Sequence, residues 1–112
     1  MQIGIDLGAT KIESVLLDEN GKEHLREREK SPQDYPKTLN SIKEIVNKIE
    51  KKFGKKFNVG VCHPGSIPSD TGLLKNANNS PWMNDKPFQK DISKFLDRTI
   101  YCENDAKCLA LS

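Results

Sequence analysis

Three strand-forming segments at the start of the chain, joined by turns too short to hold a helix, constrain the fold most strongly. Apolar, β-rich runs cover residues 2–6 and 12–18, and a short polar turn at residues 7–11 separates them. The dipeptide Asn20-Gly21 marks a second hairpin turn, so a third strand is expected at about residues 22–29. Because this third segment is highly charged, we expect it to form an exposed edge strand.

The rest of the chain alternates between helical and strand patterns. Apolar residues recur at helical spacing from Leu39 to Phe53, after Pro36 and before Gly54, which predicts one long helix. The later segments predict, in order, a buried strand at residues 57–62, a short helix marked by Phe88, Ile92, Phe95 and Leu96, a strand at residues 99–102, and a helix capped by Asn104. The order β-β-β-α-β-α-β-α predicts an α/β fold with a mixed five-stranded sheet and helices on its faces.

Charge and hydropathy exclude several classes of protein. The 112 residues include 18 basic and 16 acidic side chains, a net charge of +2, whereas a dedicated nucleic-acid module carries a stronger and more clustered basic excess. No apolar run approaches the ~20 residues of a membrane span, and Asp6 stands where a secretory signal would have its apolar core. We therefore expect one cytoplasmic domain that binds neither nucleic acid nor a membrane.

The turn between the first two strands has the composition of a phosphate site. Gly8 and the small Ala9 let backbone N–H groups approach a phosphate, and the Thr10 hydroxyl and the Lys11 ammonium add donors and positive charge. Asp6, at a strand end, is suited to face a phosphate-bound Mg²⁺ through water. The alternative is an ordinary glycine-containing hairpin, because the full P-loop pattern is absent.

A second set of polar residues follows the buried strand. Pro64-Gly65-Ser66 leads into an asparagine-dense loop that contains Asn78 and Asn79 and reaches Trp82. Amides that donate and accept hydrogen bonds beside an aromatic face are typical of sugar sites. The same composition also suits a loop of Asx turns with Trp82 packed into the core, and the residues alone leave both interpretations open.

A third set, Asn104-Asp105, stands at the last step from strand to helix. A carboxylate at a helix N-terminus is held ionised by the helix dipole and can accept a proton from a substrate hydroxyl. The alternative is plain helix capping.

The order of these motifs resembles that of the ROK sugar kinases. The resemblance extends over residues 3–11, 59–65, 72–82, 103–106 and 109–112, so it reaches along the whole chain. It implies the ribonuclease-H-like, actin-like ATPase fold, of which residues 1–112 would be the smaller N-terminal lobe. The C-terminal lobe, with the adenine site and a possible structural zinc site, would then lie outside this chain, and the full-length protein would be a homodimer.

The resemblance also implies roles for individual residues. The ATP phosphates would bind at the turn from Gly8 to Lys11, and Asp105 would be the general base that acts on the sugar hydroxyl. The sugar would be held by Gly65, Asn78, Asn79, Asn104 and Asp105. Because one wall of the cleft would be missing, the chain alone is expected to be inactive.

The segment from Pro64 to Asn78 is most similar to that of bacterial fructokinases and manno(fructo)kinases. It therefore predicts phosphorylation of fructose to fructose 6-phosphate by Mg-ATP. N-acetylglucosamine kinases and glucokinases of the same family are the alternative. Two non-enzyme alternatives are a sugar-binding module and a regulatory ROK protein.

Four residues depart from the family pattern, and one of them, Lys107, replaces a frequent asparagine two residues after the implied base. Ala9 stands where a second glycine is usual, which adds one methyl group near the phosphates. Cys62 and His63 replace the small or aliphatic pair that commonly precedes Pro-Gly. We expect Cys62 to be buried and His63 to turn to solvent at the strand end.

Overall fold

The first three strands form the antiparallel half of the sheet. In the computed structural model, which describes residues 1–103, these strands are β1 (Gln2–Leu7), β2 (Lys11–Leu17) and β3 (Glu23–Lys30). β2 pairs antiparallel with both of its neighbours, and β3 lies at the edge of the sheet with mostly exposed side chains. The predicted hairpins and the charged edge strand are confirmed.

Two crossovers build the parallel half. They contain the helices α1 (Tyr35–Phe53) and α2 (Phe88–Leu96), which lead into the strands β4 (Asn58–Cys62) and β5 (Tyr101–Glu103). β4 pairs parallel with β1, and β5 pairs parallel with β4, so the strand order is β3-β2-β1-β4-β5. The helix predicted from Asn104 lies outside the described residues.

Local signals set both ends of α1. The Asp34 side chain accepts a hydrogen bond from the backbone N–H of Lys37 at 2.9 Å, which satisfies one of the free donors of the first turn. Gly54 ends the helix in the left-handed conformation, with φ 71°, as its position after the apolar stripe predicts. Ile42 and Val46, at the centre of that stripe, are fully buried.

The helices and the sheet share one hydrophobic core. Alternate residues of β1 and β4 point into it, as period-two patterning requires. Its fully buried members include Ile3, Ile5, Leu16, Ile42, Val46, Val59, Val61, Phe88 and Ile92.

An ion pair between Glu50 and Arg98 lies beside this core. Arg98 donates from both terminal nitrogens to the Glu50 carboxylate, at 2.7 and 2.8 Å, and also to the carbonyl of Phe57 at 3.0 Å. The same carboxylate accepts the backbone N–H of Phe57 at 2.8 Å. The hydrogen bond from Arg98 is the main cause that lowers the pKa of the Glu50 carboxyl. Together these contacts join the end of α1 to the start of β4 and to the segment before β5.

Candidate functional site

The carboxyl ends of three parallel strands meet at one edge of the sheet. Asp6 of β1 pairs in register with Cys62 of β4, and Cys62 pairs with Glu103 of β5. The segments that follow these strands therefore leave the sheet side by side. Ligand sites of α/β proteins occur where such strand ends gather. The topology thus brings the first two predicted motifs to one edge.

The turn after β1 is tight. The backbone N–H of Gly8 donates to the carbonyl of Lys11 at 2.9 Å, and a Cβ on Gly8 would lie 2.8 Å from that oxygen. Only glycine fits without a shift of the backbone. Ala9 is half-buried, while Thr10 and Lys11 are exposed. The hydroxyl and ammonium groups are therefore accessible, and this arrangement fits an anionic phosphate.

Asp6 is half-buried beside this turn. Burial raises the pKa of its carboxyl. Its cross-strand neighbour Glu13 is paired with Arg26 and with Arg28. Within residues 1–103, no group of three or more metal-binding side chains forms, so a direct protein cage is absent there. A single carboxylate fits a Mg²⁺ ion held largely by phosphate and water.

The segment after β4 forms a narrow ribbon, which we call the 65–77 ribbon. Ser66 and Lys75 exchange backbone hydrogen bonds of 3.0 and 2.8 Å. Gly65 has φ 68°, and a Cβ there would lie 2.1 Å from the carbonyl oxygen of Lys75. This is a position that only glycine can occupy, because the two chain segments approach too closely for any side chain.

The asparagine loop follows the ribbon, and its structure is compatible with both interpretations of its sequence. Asn78 and Asn79 are exposed, so their amides are available to a ligand. Trp82 is half-buried and packs against the core. The side-chain oxygen of Asn84 accepts the backbone N–H of Ala77 at 2.9 Å and supports the base of the loop. Asn84 was not among the residues predicted from the sequence.

His63 does not turn to solvent, and that expectation was wrong. The residue is 5% exposed, and its ring packs edge-on against Phe88, with the ring centroids 6.1 Å apart. The inward alternation of Val59 and Val61 continues one residue past β4, which explains the direction of the side chain. This alternation was the signal available in the sequence. Cys62 is buried, as expected.

The predicted base is not among these residues. Asn104 and Asp105 follow β5 directly in the sequence and lie outside the described residues.

Within residues 1–103, no helix is long and apolar enough to cross a membrane.

The fold matches part of the fold of solved ROK-family proteins. A ROK-family glucokinase from Streptomyces griseus, solved with glucose and AMPPNP, superposes with a TM-score of 0.79 at 24% identity; the match covers 94% of this chain and 33% of that one. A ROK-family transcriptional regulator, homologous to the E. coli MLC protein, superposes with a TM-score of 0.71 at 16% identity, over 97% of this chain and 28% of that one. At these identities the likeness establishes the fold alone.

The chain belongs to the ROK family, whose model matches residues 2–112. The N-acetyl-D-glucosamine kinase of Haemophilus influenzae (strain 86-028NP) is 39% identical over 100% of this chain. The chain spans 37% of the length of that relative. Further bacterial N-acetyl-D-glucosamine kinases match over the same share. The family and the fold predicted from the sequence are therefore confirmed, whereas the expected similarity to fructokinases is not supported.

Proposed function

We propose that this chain is the N-terminal lobe of an ATP-dependent sugar kinase whose acceptor is N-acetyl-D-glucosamine. The observation that carries the proposal is the shared strand edge, where the Gly8–Lys11 turn and the Pro64–Gly65 turn leave the sheet next to each other. Phosphoryl transfer depends mostly on positioning and on charge stabilisation, and this edge brings a phosphate-type turn and an amide-rich loop together.

Each residue then has a role. Gly8, Ala9, Thr10 and Lys11 would bind the ATP phosphates, and Asp6 would hold a phosphate-bound Mg²⁺ ion through water. Gly65, Asn78, Asn79 and Asn104 hold the sugar. Asp105 accepts the proton of the attacking hydroxyl. Mg-ATP supplies the phosphoryl group and the cation that balances its charge. These roles follow from the family resemblance and are supported by the accessibility of Thr10, Lys11, Asn78 and Asn79.

The relatives favour N-acetyl-D-glucosamine over fructose. Several curated kinases of this amino sugar match the entire chain, at 36% to 39% identity. A polar site rejects a wrong sugar mainly by leaving its own buried donors or acceptors unpaired, so acceptor choice is a property of the whole cleft. Fructose, the acceptor favoured by the loop sequence, becomes the second candidate.

A panel of acceptors tests this choice in the full-length protein. We expect kcat/KM for N-acetyl-D-glucosamine to exceed the values for fructose, mannose, glucose and N-acetylmannosamine by ~10-fold or more. ADP release, coupled to NADH oxidation, measures each rate. A higher value for fructose would restore the fructokinase assignment and leave the kinase class intact.

Substitution of the proposed base tests the chemistry itself. Asp105→Asn should lower kcat by ~10²–10⁴ with a nearly unchanged sugar KM, because it removes the proton acceptor and keeps the shape. Asp97→Asn is the matched control, since Asp97 is an exposed residue in the left-handed conformation, which asparagine adopts readily. Wild-type kcat in Asp105→Asn would remove Asp105 from the mechanism.

A non-enzymatic sugar sensor is the alternative from another class of function, because the fold alone does not distinguish a kinase from a transcriptional regulator that shares it. The sensor would bind sugar without sugar-dependent ATP turnover. Isothermal titration with N-acetyl-D-glucosamine, run beside the ADP assay, separates the two. Binding with no turnover in the full-length protein would favour the sensor.

A further inference from the structure

A buried histidine stands at the root of the 65–77 ribbon. His63 follows β4 and is enclosed by three contacts. Its ring lies against Phe88, at the start of α2, and its backbone N–H donates to the carbonyl of Glu103, at the end of β5, at 2.8 Å. Its Nδ1 lies 3.0 Å from the carbonyl oxygen of Pro64. The residue therefore touches the helix, the neighbouring strand and the first residue of the segment that leads into the ribbon.

The contact with Pro64 defines the tautomer of the ring. A carbonyl oxygen only accepts hydrogen bonds, so Nδ1 must carry the proton and donate it. The pyrrolidine ring of Pro64 already restricts its φ to a narrow range. The remaining soft dihedral of Pro64 is ψ, and ψ sets the direction of its carbonyl. A hydrogen bond to that carbonyl consequently fixes the last free rotation before the ribbon.

The ribbon beyond Pro64 is stiff. Gly65 lies against Lys75 with no room for a side chain, and Ser66 and Lys75 exchange two backbone hydrogen bonds. Leu74 is held in turn by backbone hydrogen bonds with Lys86 at 2.9 Å and with Asp85 at 2.7 Å. A stiff element transmits a rotation at its root to its far end, where Asn78 and Asn79 follow.

We propose that His63 is a positioning residue for sugar binding. By donating Nδ1–H to the Pro64 carbonyl it sets the angle between β4 and the 65–77 ribbon, and so it places Gly65, Asn78 and Asn79 relative to the phosphate turn. An aliphatic residue at this position would fill the same space against Phe88 but could not hold the carbonyl. The proposal rests on the sugar-kinase function proposed above.

Three substitutions separate the hydrogen bond from the volume of the ring. His63→Leu fills the space but has no donor. His63→Asn keeps a donor at the place of Nδ1, because its side-chain nitrogen is equally far from Cβ. His63→Gln keeps a polar side chain whose nitrogen corresponds to Nε2 and does not reach the adjacent carbonyl. His24→Leu is the control, an exposed histidine on β3 whose ring contacts Asp18.

In the full-length protein, we expect the sugar KM of His63→Leu and His63→Gln to rise ~3–10-fold, the worth of one neutral hydrogen bond. The ATP KM should stay unchanged, and His63→Asn should return the sugar KM to near the wild-type value. A purely structural role would instead lower the folded fraction and the apparent kcat, without this split between the two KM values. An unchanged sugar KM in both variants that lack the donor would overturn the proposal.

Amide hydrogen exchange provides a readout that does not depend on turnover. Exchange in peptides that cover residues 64–77 should accelerate in His63→Leu and His63→Gln, and it should remain at the wild-type rate in His63→Asn and in the control. Equal exchange in all of these proteins would overturn the proposal. If the wild-type protein shows no kinase activity and the exchange pattern still holds, the proposed function fails and the positioning role survives. Should His63→Leu fail to fold, the comparison of His63→Gln with His63→Asn carries the test.

Discussion

At the scale of single residues, Asp6 lies where burial opposes its charge. Its pKa is raised, so the folded state binds protons more tightly than the unfolded chain does. The stability associated with this carboxyl is therefore fully present below the ordinary aspartate pKa of ~3.9, and it is lost as the pH rises through the higher folded value. A carboxylate kept in such a place suits a role in binding.

This conflict leads to a prediction for Asp6→Asn. The melting temperature of the variant should be ~1–3 °C higher than that of the wild type at pH 7, since the variant has no charge to bury, and the difference should vanish near pH 3. Its kinase activity in the full-length protein should fall, because the amide carries no negative charge for Mg²⁺. Thermal melts at both pH values and the ADP assay measure these effects. A lower melting temperature at pH 7 would contradict the account of Asp6.

Residues whose conformation is determined by their neighbours in the sequence could be predicted. Gly54 follows the end of an apolar stripe, and Gly8 stands in a short turn between two strands, so each could be assigned from its neighbours. For His63 the alternation of Val59 and Val61 predicts the direction of the side chain, but the burial of its ring also depends on Phe88, which lies much further along the chain. Asn84 was missed for the same reason, since its partner Ala77 is defined by the folded loop.

At the scale of elements, the ion pair between Glu50 and Arg98 joins α1 to the parallel strands. The two side chains are only 11% and 20% exposed, so solvent screens their interaction little. Glu50→Gln should lower the free energy of unfolding by ~1–3 kcal/mol at pH 7, because it leaves the guanidinium without its charged partner. Glu44→Gln, an exposed change on the same helix, should stay within ~0.5 kcal/mol.

The sign of the pH dependence follows from the lowered pKa of Glu50. The stability from this carboxylate is present above its ordinary pKa of ~4.3 and is lost as the pH falls through the lower folded value. The difference between wild type and Glu50→Gln should therefore shrink as the pH drops from 5 toward 2. Urea unfolding curves at several pH values measure it. A difference that is independent of pH would show that packing, not charge, is responsible.

The elements themselves could be predicted where their signals are local. The two hairpins and α1 have turn residues, caps and an apolar stripe within a few positions of one another, and the structure reproduces them within one or two residues. The 65–77 ribbon could not be predicted from its sequence. Its geometry comes from the approach of Gly65 to Lys75 and from backbone contacts of Leu74 with a later segment.

At the scale of the whole molecule, we propose that the described residues supply one side of a cleft. The phosphate turn and the 65–77 ribbon lie at an open edge of the sheet, and the chain spans 37% of the length of a related kinase. Phosphoryl transfer needs the nucleotide and the acceptor held from both sides and shielded from water.

We therefore predict that the 112-residue chain alone shows no sugar-dependent ATP turnover. The ADP assay should give rates with N-acetyl-D-glucosamine that equal those without sugar, while the full-length protein is active under the same conditions. Turnover by the purified chain that disappears on Asp105→Ala would contradict this prediction, because it would place a complete catalytic site in these residues.

The parallel register of Asp6, Cys62 and Glu103 has a consequence for folding kinetics. The first hairpin can form locally, but the strand edge exists only after two crossovers have closed the long loops between these residues. We therefore expect a partly folded chain to lack this site. Binding competence should arise in one late step, together with the global fold, so that a ligand of this edge binds the native state alone and stabilises it by mass action.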